Sequence, residues 1–220
     1  MSSPTIPVIA IDGPSASGKG TVAQLVAEQL GFHYLDSGAL YRIVAYVAHK
    51  HNIGWDHADA LGELAKKLSI KFEQGDIYLD GECITDVVRS EQMSRGASEV
   101  AIHPPVRDAL LALQRSFRQA PGLVGDGRDI GSVIFKDAQL KIFLTASAEI
   151  RAERRYKQLV GKGLSADYEQ ILADLKSRDL RDSQRASAPL VQTADALLLD
   201  TTNRNIEQAV EFVLNAYRKV

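Results

Sequence analysis

The residues best suited to chemistry lie near the start of the chain. Val8-Ile9-Ala10-Ile11-Asp12 is an apolar run leading into Gly13-Pro14-Ser15-Ala16-Ser17-Gly18-Lys19-Gly20-Thr21, with the spacing Gly13-x4-Gly18-Lys19. A strand, a tight glycine turn and a helix start place several backbone N–H groups and a positive helix end around one anion, with Lys19 reaching its outer phosphates. The helix is visible in the pattern, because Val22 to Leu30 is amphipathic and ends near Gly31. Together these residues make a cradle for a triphosphate. The hydroxyl residue that usually follows the lysine and touches magnesium is Gly20 here, and Thr21 comes one place later. Magnesium is therefore expected to be held mostly by phosphate oxygens and water, with Thr21 nearer the α-phosphate.

Other side chains extend this chemistry. The apolar run Gly122 to Gly125 ends in Asp126-Gly127-Arg128-Asp129. An acid at the end of such a strand can orient magnesium through its water shell, and Asp126 is the candidate. In isolation it would read as a turn-forming Asp-Gly. The stretch Asp36-Ser37-Gly38-Ala39-Leu40-Tyr41-Arg42 offers two readings of equal weight. Either Arg42 clamps a second phosphate by a planar two-point contact, or Ser37 is a helix N-cap with Arg42 solvated.

Arg178, Arg181, Asp182 and Arg185 share one helix face, with Arg178 and Asp182 close enough to pair, and Arg151, Arg154 and Arg155 repeat the geometry earlier. A salt-bridge-laced surface helix is the ordinary explanation of such a face. Residues 151 to 185, however, hold nine Lys or Arg against six acids. That excess suits a flap over a transferring phosphoryl group. His49, His51 and His57 have no Cys or acid cluster to complete a metal site and are expected at the surface.

These groups need elements to position them. Strands are expected at Val8 to Asp12, Phe32 to Leu35, Gly122 to Gly125, Leu140 to Leu144 and Ala196 to Leu199. Helices are expected at Ala39 to Lys50, Pro105 to Ala120, Ala148 to Val160 and Ile206 to Tyr217, the last opened by Asn205 and Gln208 as a capping box. This alternation implies an α/β fold, a parallel sheet with helices on both faces and the phosphate loop at the carboxyl end of the first strand. Residues 69 to 88 switch to period-2 patterning with turns at Gln74-Gly75 and Asp80-Gly81, which reads as an inserted antiparallel meander. Gly161 and Gly163 would let the basic helical pair hinge. Trp55 is expected to pack a loop against the sheet, and Cys83 to be a small packed side chain.

Composition narrows the class. The 220 residues are 45% hydrophobic, enough for a substantial core. No apolar run approaches the roughly 20 residues of a membrane span. Met1-Ser2-Ser3-Pro4 lacks the pattern of a secretory signal, so cytoplasm is the expected location, and a single cysteine agrees with a reducing compartment. A formal net charge of −2 argues against bulk nucleic-acid binding. A monomer is the default in the absence of an obvious apolar stripe.

Taken together, GPSASGKGT at 13 to 21, LDSGALYR at 35 to 42, DGRDIG at 126 to 131, ASAEIRAERR at 146 to 155 and RDLRDSQRASAPL at 178 to 190 resemble the bacterial-type cytidylate kinase family over essentially the whole chain. The resemblance implies a three-layer αβα P-loop kinase with a five-stranded parallel sheet, a monophosphate-binding insertion with a small antiparallel sheet, and a helical lid. Residues 1–36, 104–150 and 187–220 would form the core, 37–103 the monophosphate region and 151–186 the lid. The implied activity is transfer of the ATP γ-phosphoryl, with Mg2+, to CMP and dCMP in pyrimidine nucleotide metabolism. By matching position, the loop from Gly13 to Thr21 would bind ATP phosphates, and Arg151, Arg154 and Arg155 would close over them. Arg42, Arg128 and Arg178 would hold the monophosphate. Ser98, Arg107 and Asp182 would read cytosine, and Ser37, Asp129 and Arg185 would lie around the sugar. Lys19, Arg128, Arg178 and Arg155 would neutralise charge during transfer. Ala16-Ser17 departs from the smaller Gly-Ala pair associated with other members. Set against this reading are another small P-loop kinase, a nucleotide-dependent switch, and a single-strand nucleic-acid binder using the basic flap.

Overall fold

The computed structural model describes residues 6–73 and 76–220. In chain order the elements begin with β1 (Val8–Asp12), α1 (Lys19–Leu30), β2 (His33–Asp36), α2 (Ser37–Lys50) and α3 (Ala58–Lys66). Next come β3 (Ile70–Glu73), β4 (Asp76–Leu79), β5 (Glu82–Cys83), α4 (Thr85–Val88), α5 (Glu91–Val100) and α6 (Pro104–Ser116). The chain continues with β6 (Leu123–Gly127), a π-turn (Ile130–Ile134), β7 (Leu140–Thr145), α7 (Ala148–Gly161), α8 (Tyr168–Gln184), β8 (Leu197–Asp200) and α9 (Ile206–Tyr217). Two compact units result, one built from residues up to Leu35 together with Phe117–Val220, the other Asp36–Ser116.

The first unit is organised by a five-stranded sheet in the order β2-β6-β1-β7-β8. Central β1 runs parallel to β6, with Val8 opposite Leu123 and Asp12 opposite Gly127, and parallel to β7, with Asp12 opposite Phe143. All five residues of β1 are buried, as a strand covered on both faces requires of its unbroken apolar run. The core gathers Ile9, Ile11, Val26, Ile142, Val213 and Leu214 from β1, α1, β7 and α9. The start of α9 is held by both arms of the expected Asn205/Gln208 capping box. The segment expected as a lid falls inside this unit as α7 and α8, with Gly163 at φ 73 between them.

The second unit packs α2 on α5 and α3 on α6 beside the antiparallel sheet β3-β4-β5. Asp80 and Gly81 join β4 to β5 with φ of 50° and 87°, the all-positive pattern of a two-residue hairpin turn. Gln74-Gly75, the other expected turn, lies outside the described residues.

Four expectations change here. Residues 85–88 are helical, because Thr85 accepts the Ile77 N–H and donates to Asp76, ending the meander at β5. The helix from Pro104 belongs with the 36–116 unit, whereas the sequence reading placed 104–150 in the core. The reason is close packing: a Cβ on Gly62 would lie 2.7 Å from that of Pro105. Trp55 packs among helices rather than on the sheet, donating its indole N–H to Ala45 O at 3.0 Å and covering Gly96. Cys83 is exposed on the short strand β5.

Candidate active site

The loop between β1 and α1 has the geometry of an anion cradle, and its shape follows from two glycines. A Cβ on Gly13 would sit 1.9 Å from Leu144 O, so only glycine lets the chain pass β7. Gly18 adopts φ 91° and forms the N-cap of α1 without any side-chain cap bond. The first-turn amides therefore keep no side-chain acceptor from the cap, and the positive helix end faces the loop. Lys19 is buried and donates to Pro14 O at 3.2 Å, alongside Ser17 Oγ at 3.0 Å.

Carbonyls must point away for amides to point in. Arg151 donates to Ser15 O at 3.1 Å and to Ala146 O at 2.9 Å, and its fork grips Asp179 on α8. Arg154 reaches Ser17 O at 3.4 Å and Thr201 O at 2.6 Å. Thr201 Oγ1 lies 3.3 Å from Ser17 O and 3.0 Å from Thr145 O. Two arginines expected over ATP are thus placed against the phosphate-loop backbone. Arg155, next along α7, reaches Gln158.

The turn after β6 lies at the same sheet edge. Arg128 donates from Nη2 to Ser15 Oγ at 2.6 Å and from Nε to Asp182 Oδ2 at 2.7 Å. Burial disfavours the charge on Arg128, yet Asp182, Asp126 and Asp179 outweigh it and raise its pKa above the ordinary value. Asp182 is likewise desolvated, but Arg128, then Arg185 and Arg178, hold it below the usual carboxylate range. Asp129 Oδ1 sits 3.8 Å from Arg185 Nη2, both side chains buried. Asp126 accepts from the Tyr34 hydroxyl at 2.8 Å, and its other oxygen lies 3.8 Å from where a Cβ on Gly20 would be. The acid at the end of β6 therefore faces the first turn of α1. No group of three or more His, Cys, Asp or Glu able to hold a metal occurs among the described residues.

The remaining expected residues lie in the 36–116 unit. Asp36, not Ser37, caps α2, accepting the Ala39 N–H at 2.9 Å, and its second oxygen pairs with Arg42 at 2.6 Å. Ser37 donates instead to Gln114 at 2.7 Å in a buried contact. Arg107 donates to Ala101 O and stands over the Tyr41 ring at 5.7 Å. The Ser98 hydroxyl is buried without a hydrogen-bond partner, an arrangement that suits an incoming polar ligand.

The sequence reading missed Asp12, Thr201, Tyr34 and Asp179. Asp12 ends an apolar strand as Asp126 does, and that shared pattern could have found it; the others have no local signal.

A glycine-rich loop at the carboxyl end of the middle strand of a parallel sheet, with arginines converging on it, defines a kinase of the P-loop class. In keeping with that fold, a gluconokinase from Sinorhizobium meliloti 1021 superposes with a TM-score of 0.50 at 14% identity, over 98% of this chain and 93% of that one. An uncharacterised protein from Eubacterium ventriosum ATCC 27560 does so with a TM-score of 0.54 at 13% identity, over 98% and 99%. The family is narrower. A family model described as cytidylate kinase matches residues 9–219. A cytidylate kinase from Polynucleobacter asymbioticus is 59% identical over 97% of both chains, and one from Cupriavidus necator is 55% identical over 97% of this chain and 96% of the relative. The chain belongs to the cytidylate kinase family.

Proposed function

We propose that this chain moves the γ-phosphoryl of ATP to CMP and dCMP by direct in-line transfer. Family membership over nearly the whole chain carries the reading. In it, the amides from Gly13 to Thr21 and Lys19 seat the ATP phosphates, while Arg128, Arg178 and Arg42 receive the acceptor phosphate. Lys19, Arg128, Arg178 and Arg155 offset the charge that spreads over the phosphoryl oxygens. Arg151 and Arg154 serve ATP chiefly through the loop backbone they hold. Mg2+ bound with ATP would supply charge neutralisation at the phosphates, with Asp126 orienting it through water and Thr21 beside the α-phosphate.

Cytosine selection follows from hydrogen-bond polarity. The exocyclic amine donates to the Asp182 carboxylate, and the ring nitrogen accepts from Arg107, with Ser98 alongside. Uracil reverses both edges and leaves buried groups unpaired, at about 1–3 kcal/mol each. Asp129, Arg185 and Ser37 attend the sugar. No helix among the described residues is long and apolar enough to cross a membrane; within this reading the protein works in the cytoplasm as a 24.0 kDa monomer, which light scattering would test.

The decisive experiment measures ADP release with CMP, dCMP, UMP, AMP and GMP as acceptors. CMP and dCMP are expected to turn over fastest. Faster turnover of AMP or UMP would reject the base assignment, and ATP hydrolysis without a diphosphate product would reject the kinase.

A further inference from the structure

We infer that Asp12, at the end of β1, is a positioning residue that caps the turn carrying Arg128 and Asp129 and so sets where those two side chains meet the acceptor. The inference rests on the proposed transfer reaction for its functional consequence, and on geometry alone for the contact itself.

Asp12 is 6% exposed. Its two oxygens accept consecutive backbone amides across the sheet edge, Ile130 N–H on Oδ1 and Gly131 N–H on Oδ2, each at 2.8 Å. Those amides open the π-turn Ile130–Ile134, so they belong to the groups that a helical turn cannot satisfy from within. The residue normally placed to satisfy them is the N-cap itself. Here that residue is Asp129, and its side chain makes no cap bond. Asp12 takes over the capping from a neighbouring strand, which releases the Asp129 carboxylate to face Arg185. The turn is further fixed from below, because Gly131 lies so close to Ala10 and Lys141 that a Cβ there would be within 3.3 Å of both.

The arrangement is costly, which argues that it is not incidental. Burial pushes the Asp12 carboxyl up to about 7 even though both amides pull it down. A residue needed only to fill this space could have been apolar. An asparagine is nearly isosteric but cannot replace it, since its NH2 would oppose one of the two N–H donors.

The test is Asp12→Asn in the full chain. Losing one of the two bonds and opposing two donors is expected to raise KM for the preferred acceptor about tenfold or more. KM for ATP should change less than about threefold, because Arg151 and Arg154 hold the phosphate loop separately. Equal rises in both constants, or none in either, would overturn the inference. Hydrogen exchange on the unmutated protein supplies a second test independent of activity and of the variant's folding. The amides of Ile130 and Gly131 should exchange as slowly as those of β1, and rapid exchange would sink the capping contact. Should the acceptor prove not to be CMP, the KM split is read on whichever acceptor is used, so the two proposals fail separately.

Discussion

Arginines in the phosphate-loop unit and in the 36–116 unit are held by different means. Arg151 has a side chain 5% exposed and bridges two carbonyls and a carboxylate. Arg42 is 23% exposed and pairs with Asp36, which also caps its own helix. The first arrangement fixes backbone, because several short bonds in a dry setting leave a guanidinium one geometry. The second is a lone pair of partly exposed side chains, and in the proposed reaction an incoming phosphate would replace the carboxylate. Donor and acceptor phosphates make different demands: the ATP cradle must be ready beforehand, whereas an acceptor clamp must let its product leave.

The contrast breaks most readily at Arg151. A lysine there keeps the charge but cannot span Ser15 O, Ala146 O and Asp179 together. Arg151→Lys is expected to lose about 3 kcal/mol of stability and to raise KM for ATP more than KM for CMP. Denaturant unfolding with two-substrate kinetics checks both, and a wild-type midpoint would show that the brace contributes nothing.

Asp182 comes next. Asp182→Ala leaves the part-buried Arg128 without its short carboxylate partner, at an expected cost of about 2 kcal/mol, and should relax cytosine preference more than it weakens ATP binding. An equal loss on every acceptor would remove Asp182 from base reading. The pH dependence separates it from Asp12. Asp182 is depressed in the fold, so its contribution is present above the unfolded value of 3.8 and is lost as pH falls through the folded one. Asp12 is raised from 3.8 to about 7, so its contribution is present below the unfolded value and is lost as pH climbs to about 7. Asp182→Asn should therefore flatten the acid limb of the stability curve, and Asp12→Asn the limb between these two values.

These residues also mark where local pattern stops being informative. Strand positions, the phosphate loop and the Asn205 cap were legible because each is a short-range arrangement with its own spacing. Helical spacing put Asp182 on a face with Arg178 and Arg185, but its bond to Arg128 joins residues 54 apart. Arg151 meets Ser15 O across 136 residues. Periodicity reports which face a side chain occupies, not the partner that tertiary packing brings to it. Cys83 shows the same limit from the apolar side, since strand patterning cannot tell an edge such as β5 from a covered strand.

Arg42→Lys sharpens the comparison from the weaker side. Its expected effect on stability is about 1 kcal/mol at most, read by thermal unfolding, with KM for CMP rising because a point charge replaces a fork. A loss as large as that of Arg151→Lys would mean that both arginines are structural and the contrast is false.

The smallest expected effect concerns the loop itself. Ala16 adopts φ 58° in the middle of the phosphate loop, in the left-handed region, where a Cβ crowds the following carbonyl. The carbonyls on either side, Ser15 O and Ser17 O, are the two that Arg151 and Arg154 grip, so the braces hold the backbone in this strained conformation. Ala16→Gly would remove about 1–2 kcal/mol of strain but add about 0.5–1 kcal/mol of freedom to the unfolded chain. The net expectation is a gain of about 0.5 kcal/mol, measured by denaturant unfolding, with KM for ATP unchanged. In the Arg151→Lys background the strain is no longer enforced, and the same substitution should yield a smaller gain. An equal gain in both backgrounds would show that the arginine holds the loop carbonyl without imposing the turn.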